Sequence, residues 1–135
     1  GKQYILTADL SEITYENIPE QENVEIVNMQ VVNGIFVDES NIPITINSDY
    51  AVYNSYTYNT FFYDNVKVKY LDNIILSDKL DINFNDDIVY IYENVIYEGL
   101  QGNIETDNVK INLITKNVEM FMNNKLKKVK ILSTR

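Results

Sequence analysis

Reactive chemistry in this chain has to be built from carboxylates, lysines and tyrosines, because its 135 residues include neither His nor Cys. That removes the commonest general base, the usual nucleophile–base pair and the usual zinc ligands. Adjacent carboxylates occur at Asp86-Asp87 and Asp38-Glu39, each among Asn and Ser, which is the composition of a solvated turn. A calcium loop would need a Gly and a closing Glu at set places, and the cluster from Asn85 to Asp87 has neither. No phosphate loop, dinucleotide fingerprint or nucleophile elbow is present. A glycosidase would need two carboxylates facing each other across a polar cleft with aromatic rings beside them. The 11 Tyr supply rings, but no spacing sets such a pair. The chain is therefore read as non-enzymatic, with no catalytic residue, metal ligand or cofactor.

Charge narrows the partners. The formal net charge is −9, which repels a phosphate backbone and argues against nucleic acid. All 20 acidic residues lie before residue 125 with six Lys, a net of −14, whereas Lys125, Lys127, Lys128, Lys130 and Arg135 make the last stretch +5. An acidic body thus ends in a basic tail.

A chain of 135 residues with 45% hydrophobic and 23% charged residues suits one domain with one core, taken as residues 1–135. No apolar run approaches the roughly 18 residues that cross a bilayer, and the chain as given is expected to be soluble. It begins with Gly1 and enters a strand pattern at Tyr4-Ile5-Leu6, so it is read as a trimmed fragment.

The elements that position these residues repeat. Ser48-Asp49, Ser77-Asp78 and Thr106-Asp107 recur every 29 residues, and Asn65, Asn94 and Asn123 each follow 16 residues after the Asp. In phase with them are Ile46, Ile75 and Ile104, then Tyr53, Ile82 and Ile111, then Asn54, Asn83 and Asn112. A weaker copy opens the chain at Leu6, Asp9 and Ile13, followed by a less regular stretch from Glu16 to Asn41 with an 11-residue excess. Within each unit apolar residues alternate, as in Val66, Val68 and Tyr70 against Lys67 and Lys69. That is the period of a half-buried strand, so the fold class is all-β. From Ile46 to Ala51, Ile75 to Leu80 and Ile104 to Val109 the spacing is five, and odd spacing cannot keep one face of a regular strand. The Ser/Thr-Asp dipeptide is either a bulged corner, where a short polar side chain bonds the disrupted backbone, or a tight Asx turn between two strands. Both readings make Asp49, Asp78 and Asp107 structural.

The opening Gln3-Tyr4-Ile5-Leu6-Thr7-Ala8-Asp9 resembles the start of LptC-type domains. Asn65-Val66-Lys67-Val68, Ile75-Leu76-Ser77-Asp78-Lys79-Leu80 and Gly99 to Asp107 are similar to the strand repeats of the LptC, LptA and OstA-like group. The resemblance implies a twisted, open antiparallel β-jellyroll whose slot holds lipid acyl chains. It further implies a periplasmic domain that takes lipopolysaccharide from the inner-membrane ABC transporter (LptF, LptG, LptB) at its N-terminal edge and passes it to LptA. The family's single N-terminal membrane helix is expected to be missing here through truncation.

On that reading Ile46, Tyr53, Ile75, Leu80, Ile82, Phe84, Ile91, Val109 and Ile111 line the interior, although a filled core would use the same residues. Gly102 is expected in a turn or at a close backbone approach. The final strand candidate, Lys125 to Leu132, is either an edge guarded by Lys or a pairing edge for an LptA-like partner, with Lys125, Lys127, Val129 and Ile131 as its contacts. The alternatives to an LptC-like carrier are an LptA/OstA-like bridge and a closed-core β scaffold without lipid.

Overall fold

The computed structural model describes residues 2–18, 21–37, 40–100, 102–124 and 130–132. In chain order the strands are β1 (Gln3–Ile18), β2 (Gln21–Val37), β3 (Ile44–Asn54), β4 (Thr60–Tyr70), β5 (Asn73–Asn83), β6 (Ile88–Gly99), β7 (Gly102–Asn112), β8 (Val118–Phe121) and β9 (Lys130–Leu132). Each strand pairs antiparallel with the next as far as β8, so chain order is also sheet order. β9 pairs with Asn103–Glu105 of β7, beyond the stretch Asn108–Ile111 that β8 covers. The irregular stretch after the first repeat is β2, and its length accounts for the excess. Among the described residues no helix is long and apolar enough to cross a membrane.

Pairing turns the 29-residue repeat into cross-strand rows. Leu6, Gly34, Ile46, Val68, Ile75, Tyr97 and Ile104 are successive partners from β1 to β7, and so are Ile13, Val27, Tyr53, Thr60, Ile82, Val89 and Ile111. The triplets Ile46, Ile75, Ile104 and Tyr53, Ile82, Ile111 each fall in one row on the inward face. Ile46, Ile75, Ile82 and Ile111 are buried, and Ile104 and Tyr53 are half-buried.

Of the two readings of the Ser/Thr-Asp position, the bulged corner is the one found. β3, β5 and β7 run through it without a turn, while the register shifts at Asn47/Tyr50, Tyr63/Val66, Leu76/Lys79 and Tyr92/Val95. Asp64-Asn65 on β4 and Glu93-Asn94 on β6 supply the extra residues in the left-handed region, with φ between 53° and 65°. Such a bulge bends the strand and frees backbone groups, which neighbouring side chains then satisfy. The Ser48, Ser77 and Thr106 hydroxyls donate to the carbonyl two residues on, at 2.8, 3.1 and 3.3 Å. The Asn65 and Asn94 amides donate to Asp49 and Asp78, both at 2.6 Å, and the Asn123 backbone N–H donates to Asp107 at 2.9 Å. The 16-residue Asp-to-Asn spacing is therefore a clasp across the bulge.

These corners line up and fold the sheet over on itself. The outer halves of β1 and β2 lie across the opposite halves of later strands: the Tyr4 ring stacks 6.2 Å from Phe84, Lys2 pairs with Asp87 at 2.5 Å, and Lys116 sits over the Phe36 ring. Two layers thus come from one sheet, which is a jellyroll with its core between them. At one end of the layers Asn54 and Asn112 fold the chain back, each side-chain oxygen accepting two backbone N–H bonds, and the Asn83 oxygen accepts one, from Asp86, to whose carboxylate its amide donates. Asp86 is thereby a turn residue. Gly102 has a φ of 141°, beside the β6–β7 turn, a conformation that side chains rarely tolerate.

The clasp makes a quantitative expectation. Asp78→Ala and Asn94→Ala should each cost about 1 kcal/mol, the usual net worth of a hydrogen bond, and the double variant should cost little more than either. Urea midpoints of the four proteins measure the coupling. Full additivity of the two losses would remove the clasp from the account of the corner.

Candidate functional site

The interior is tightly filled through the middle of the stack and looser at the β1 end. Ile46, Ile75, Leu80, Ile82, Ile91, Val109 and Ile111 all belong to one buried cluster at 0–3% exposure. A cavity of about 390 Å³ lies between the layers nearer the chain's start, lined by Tyr4, Leu6, Ala8, Ser11, Val27, Met29 and Tyr53. Tyr53 is the one lining residue among the interior candidates, and Leu6 is a position of the weaker opening copy. Tyr4, Ala8, Ser11, Val27 and Met29 come from β1 and β2, where the 29-residue phase is broken, so no repeat pointed to them. Phe84 is half-buried at the closure of this region, against Tyr4, against Tyr58 at 5.8 Å and beneath the Lys2 ammonium at 4.4 Å.

β1 is the first strand of the sheet and pairs with β2 alone. It exposes Ile5, Leu10, Ile13 and Tyr15 at 43–63%. Ile13 and Ser11 continue the inward rows past Val27 and Met29, so apolar surface runs from the cavity to the open edge. An exposed apolar edge strand of this kind invites a partner strand or an apolar ligand.

Two buried hydroxyls lie at this end of the interior: that of Tyr4, which lines the cavity, and that of its neighbour Thr60, which does not; neither makes a hydrogen bond of good geometry. Burial pushes the Tyr4 phenol up, the neighbouring Thr60 hydroxyl opposes the shift, and the Tyr53 ring adds to it. Burial also raises Tyr53, with Tyr58 contributing. Neither phenol is therefore a base at neutral pH, and what the site offers is a half-open slot where Leu6, Ala8, Val27 and Met29 meet hydroxyl donors.

The remaining residues singled out from the sequence fall elsewhere. Asp49, Asp78 and Asp107 lie in the corners, away from the cavity. Lys125, Lys127 and Val129 lie outside the described residues, as do Asp38 and Glu39, while Ile131 is the middle residue of β9 and pairs with Ile104.

An all-β jellyroll of repeated hairpins around an apolar interior is the class of protein these observations define. The family described as "Lipopolysaccharide-assembly, LptC-related" matches residues 1–134, and the chain belongs to that family. Its role is accordingly in lipopolysaccharide transport, the business of a transport family and not of an enzyme family. A search among curated proteins found no match to the chain.

Proposed function

We propose that the domain holds lipopolysaccharide by its acyl chains in the slot between the two layers and moves it across the periplasm without altering it chemically. The observation that carries this reading is the cavity at the β1 end, continuous with exposed Ile13 on the open edge. Acyl chains need a dry apolar space, and each buried CH₂ contributes about 0.8 kcal/mol. In this reading β1 faces the inner-membrane ABC transporter (LptF, LptG, LptB), from which the lipid arrives. The other edge, made by β8 and β9, faces an LptA-like partner, and Lys125 and Lys127 of the basic stretch between those strands in sequence are its proposed contacts. A strand edge suits both contacts, and the Lys residues would speed association with an acidic partner at low salt. A membrane helix preceding residue 1 would hold the domain at the inner membrane.

Mass spectrometry of lipid extracted from purified protein tests the slot. Ala8→Phe fills the cavity and should cut lipid loading about tenfold or more, with a melting temperature equal to or above that of the parent. Full loading of the folded Ala8→Phe protein would move the lipid out of this cavity. A parent protein that takes up no lipid from vesicles of lipopolysaccharide would favour the closed-core scaffold instead.

A further inference from the structure

The outward face of the same strands, on the other side of the sheet from the slot, carries two rows rich in aromatic side chains. Tyr50, Tyr63, Lys79 and Tyr92 are successive cross-strand partners, as are Val52, Phe61, Asp81 and Tyr90. The rings form a surface: Tyr50 stacks on Tyr63 at 5.2 Å and 21°, and Phe61 stacks on Tyr63 at 5.2 Å and 17°. Beside them the β3–β4 turn stands over a groove of about 640 Å³, lined by Phe61, Tyr90, Asp81, Asn54 and Asn59 and reaching Thr60 and Ile82 of the inward row.

The polar groups of this groove are already oriented. The Asn54 side-chain oxygen accepts from the Tyr56 and Thr57 N–H groups, and the Asn59 oxygen accepts from the Phe84 N–H at 3.2 Å. Each amide therefore has its oxygen committed and its NH₂ left as a donor. The Tyr92 hydroxyl donates to one Asp81 oxygen at 2.9 Å, which fixes that carboxylate and leaves its second oxygen as an acceptor. Burial raises the Asp81 carboxyl, against the pull of Tyr92 and Lys79, so an added hydrogen-bond donor there would relieve a desolvated charge.

We propose that this groove binds a neutral saccharide, stacked on Phe61 and Tyr90 and hydrogen-bonded by Asn54, Asn59 and Asp81. A pyranose presents C–H bonds to an aromatic face and hydroxyls around its rim, which matches rings flanked by amide donors and a carboxylate acceptor. An acyl chain would leave Asp81 and both amides unpaired, at a cost that disfavours it. The Lys110 ammonium lies over one face of the Tyr90 ring at 5.9 Å, which leaves the other face for a sugar, while a phosphorylated or otherwise anionic ligand would still meet Asp81 on a chain of net charge −9. The site stands independently of the lipid slot, since it lies on the opposite face of the sheet. The saccharide portion of a glycolipid and a free oligosaccharide share this chemistry.

Two lipid-free probes tell the sources apart: maltohexaose, and the dephosphorylated oligosaccharide released from lipopolysaccharide by mild acid. Each is titrated into the whole chain while backbone amide NMR signals are followed. Binding of either probe, with shifts confined to Asn54, Asn59, Phe61, Asp81 and Tyr90, supports the site, and the tighter probe names the source. Tyr90→Ala and Tyr90→Leu, both checked for an undisturbed free spectrum, should raise the Kd about tenfold or more. Lipid loading should be unchanged in both. Absence of shifts with both probes at millimolar concentration overturns the proposal. So do shifts that map to the cavity between the layers, or unweakened binding by folded Tyr90→Leu.

Discussion

Phe62→Ala should lower the stability of this domain by about 3–5 kcal/mol, the range for removing a fully buried aromatic ring. Phe62 is 0% exposed and lies in the inward row between Ala51 and Leu80. Its ring reaches across to the other layer, where a Cβ placed on Gly34 would come within 3.2 Å of its Cζ. Large and small residues thus interlock between layers: the ring occupies the space that Gly34 leaves. Removing it strips contacts from both layers at once, and neighbouring strands pinned by their ladders cannot collapse into the gap. Since single domains are stable by about 5–15 kcal/mol in all, the variant should sit near the edge of folding at room temperature. Urea denaturation measures this as a fall in midpoint with little change in slope. Adding Gly34→Ala to Phe62→Ala should recover part of the loss, whereas Gly34→Ala alone must push the ring aside. A loss below about 1 kcal/mol for Phe62→Ala would mean that the two layers are not packed through this ring.

The same interlock shows why the fold was so legible in the sequence and the cavity was not. Ile46, Ile75 and Ile104 could be put in one row because three copies of the unit share a phase, and a ladder of equal hairpins converts phase into position without further information. The corner was legible from an odd spacing of five, and its clasp from the recurrence of Asn 16 residues after Asp. Choosing a corner over a turn needed coordinates, since Ser-Asp suits both. The cavity lies where the repeat fails. Leu6 alone keeps the phase of the opening copy; Ala8, Val27 and Met29 belong to the long β1–β2 hairpin, and their facing residues come from across the fold, a long-range contact that no periodicity encodes. The outward aromatic rows were hidden for a different reason. Alternation marks Phe61, Tyr63, Tyr90 and Tyr92 as the face opposite the core, but a run rich in Tyr on both faces reads as β-propensity and not as a surface with a purpose.

Thr60→Val should stabilise the protein, by about 1–3 kcal/mol when it carries no lipid. Thr60 opens β4 between Tyr53 and Ile82 at 2% exposure, and its hydroxyl is buried beside that of Tyr4 without a hydrogen bond of good geometry. Valine has the same shape without the hydroxyl, so the exchange removes the desolvation cost of an unpaired polar group and leaves the packing in place. Tyr4→Phe should act in the same direction, because its buried hydroxyl is likewise unpartnered and its phenol is displaced upward by burial. The two effects should not simply add, since the hydroxyls are close enough for Thr60 to influence Tyr4. Natural sequences can keep such costly groups where a ligand uses them, and an acyl ester carbonyl entering the slot would accept from the Tyr4 hydroxyl, which Thr60 sits beside. The expected pattern is therefore a gain in stability joined to weaker lipid retention in both variants. Thermal melts of delipidated protein and the lipid loading of the same preparations measure the two halves separately. Lower stability in delipidated Thr60→Val would mean that the hydroxyl has a partner after all, and unchanged lipid loading would take both hydroxyls out of the slot's contact with its cargo.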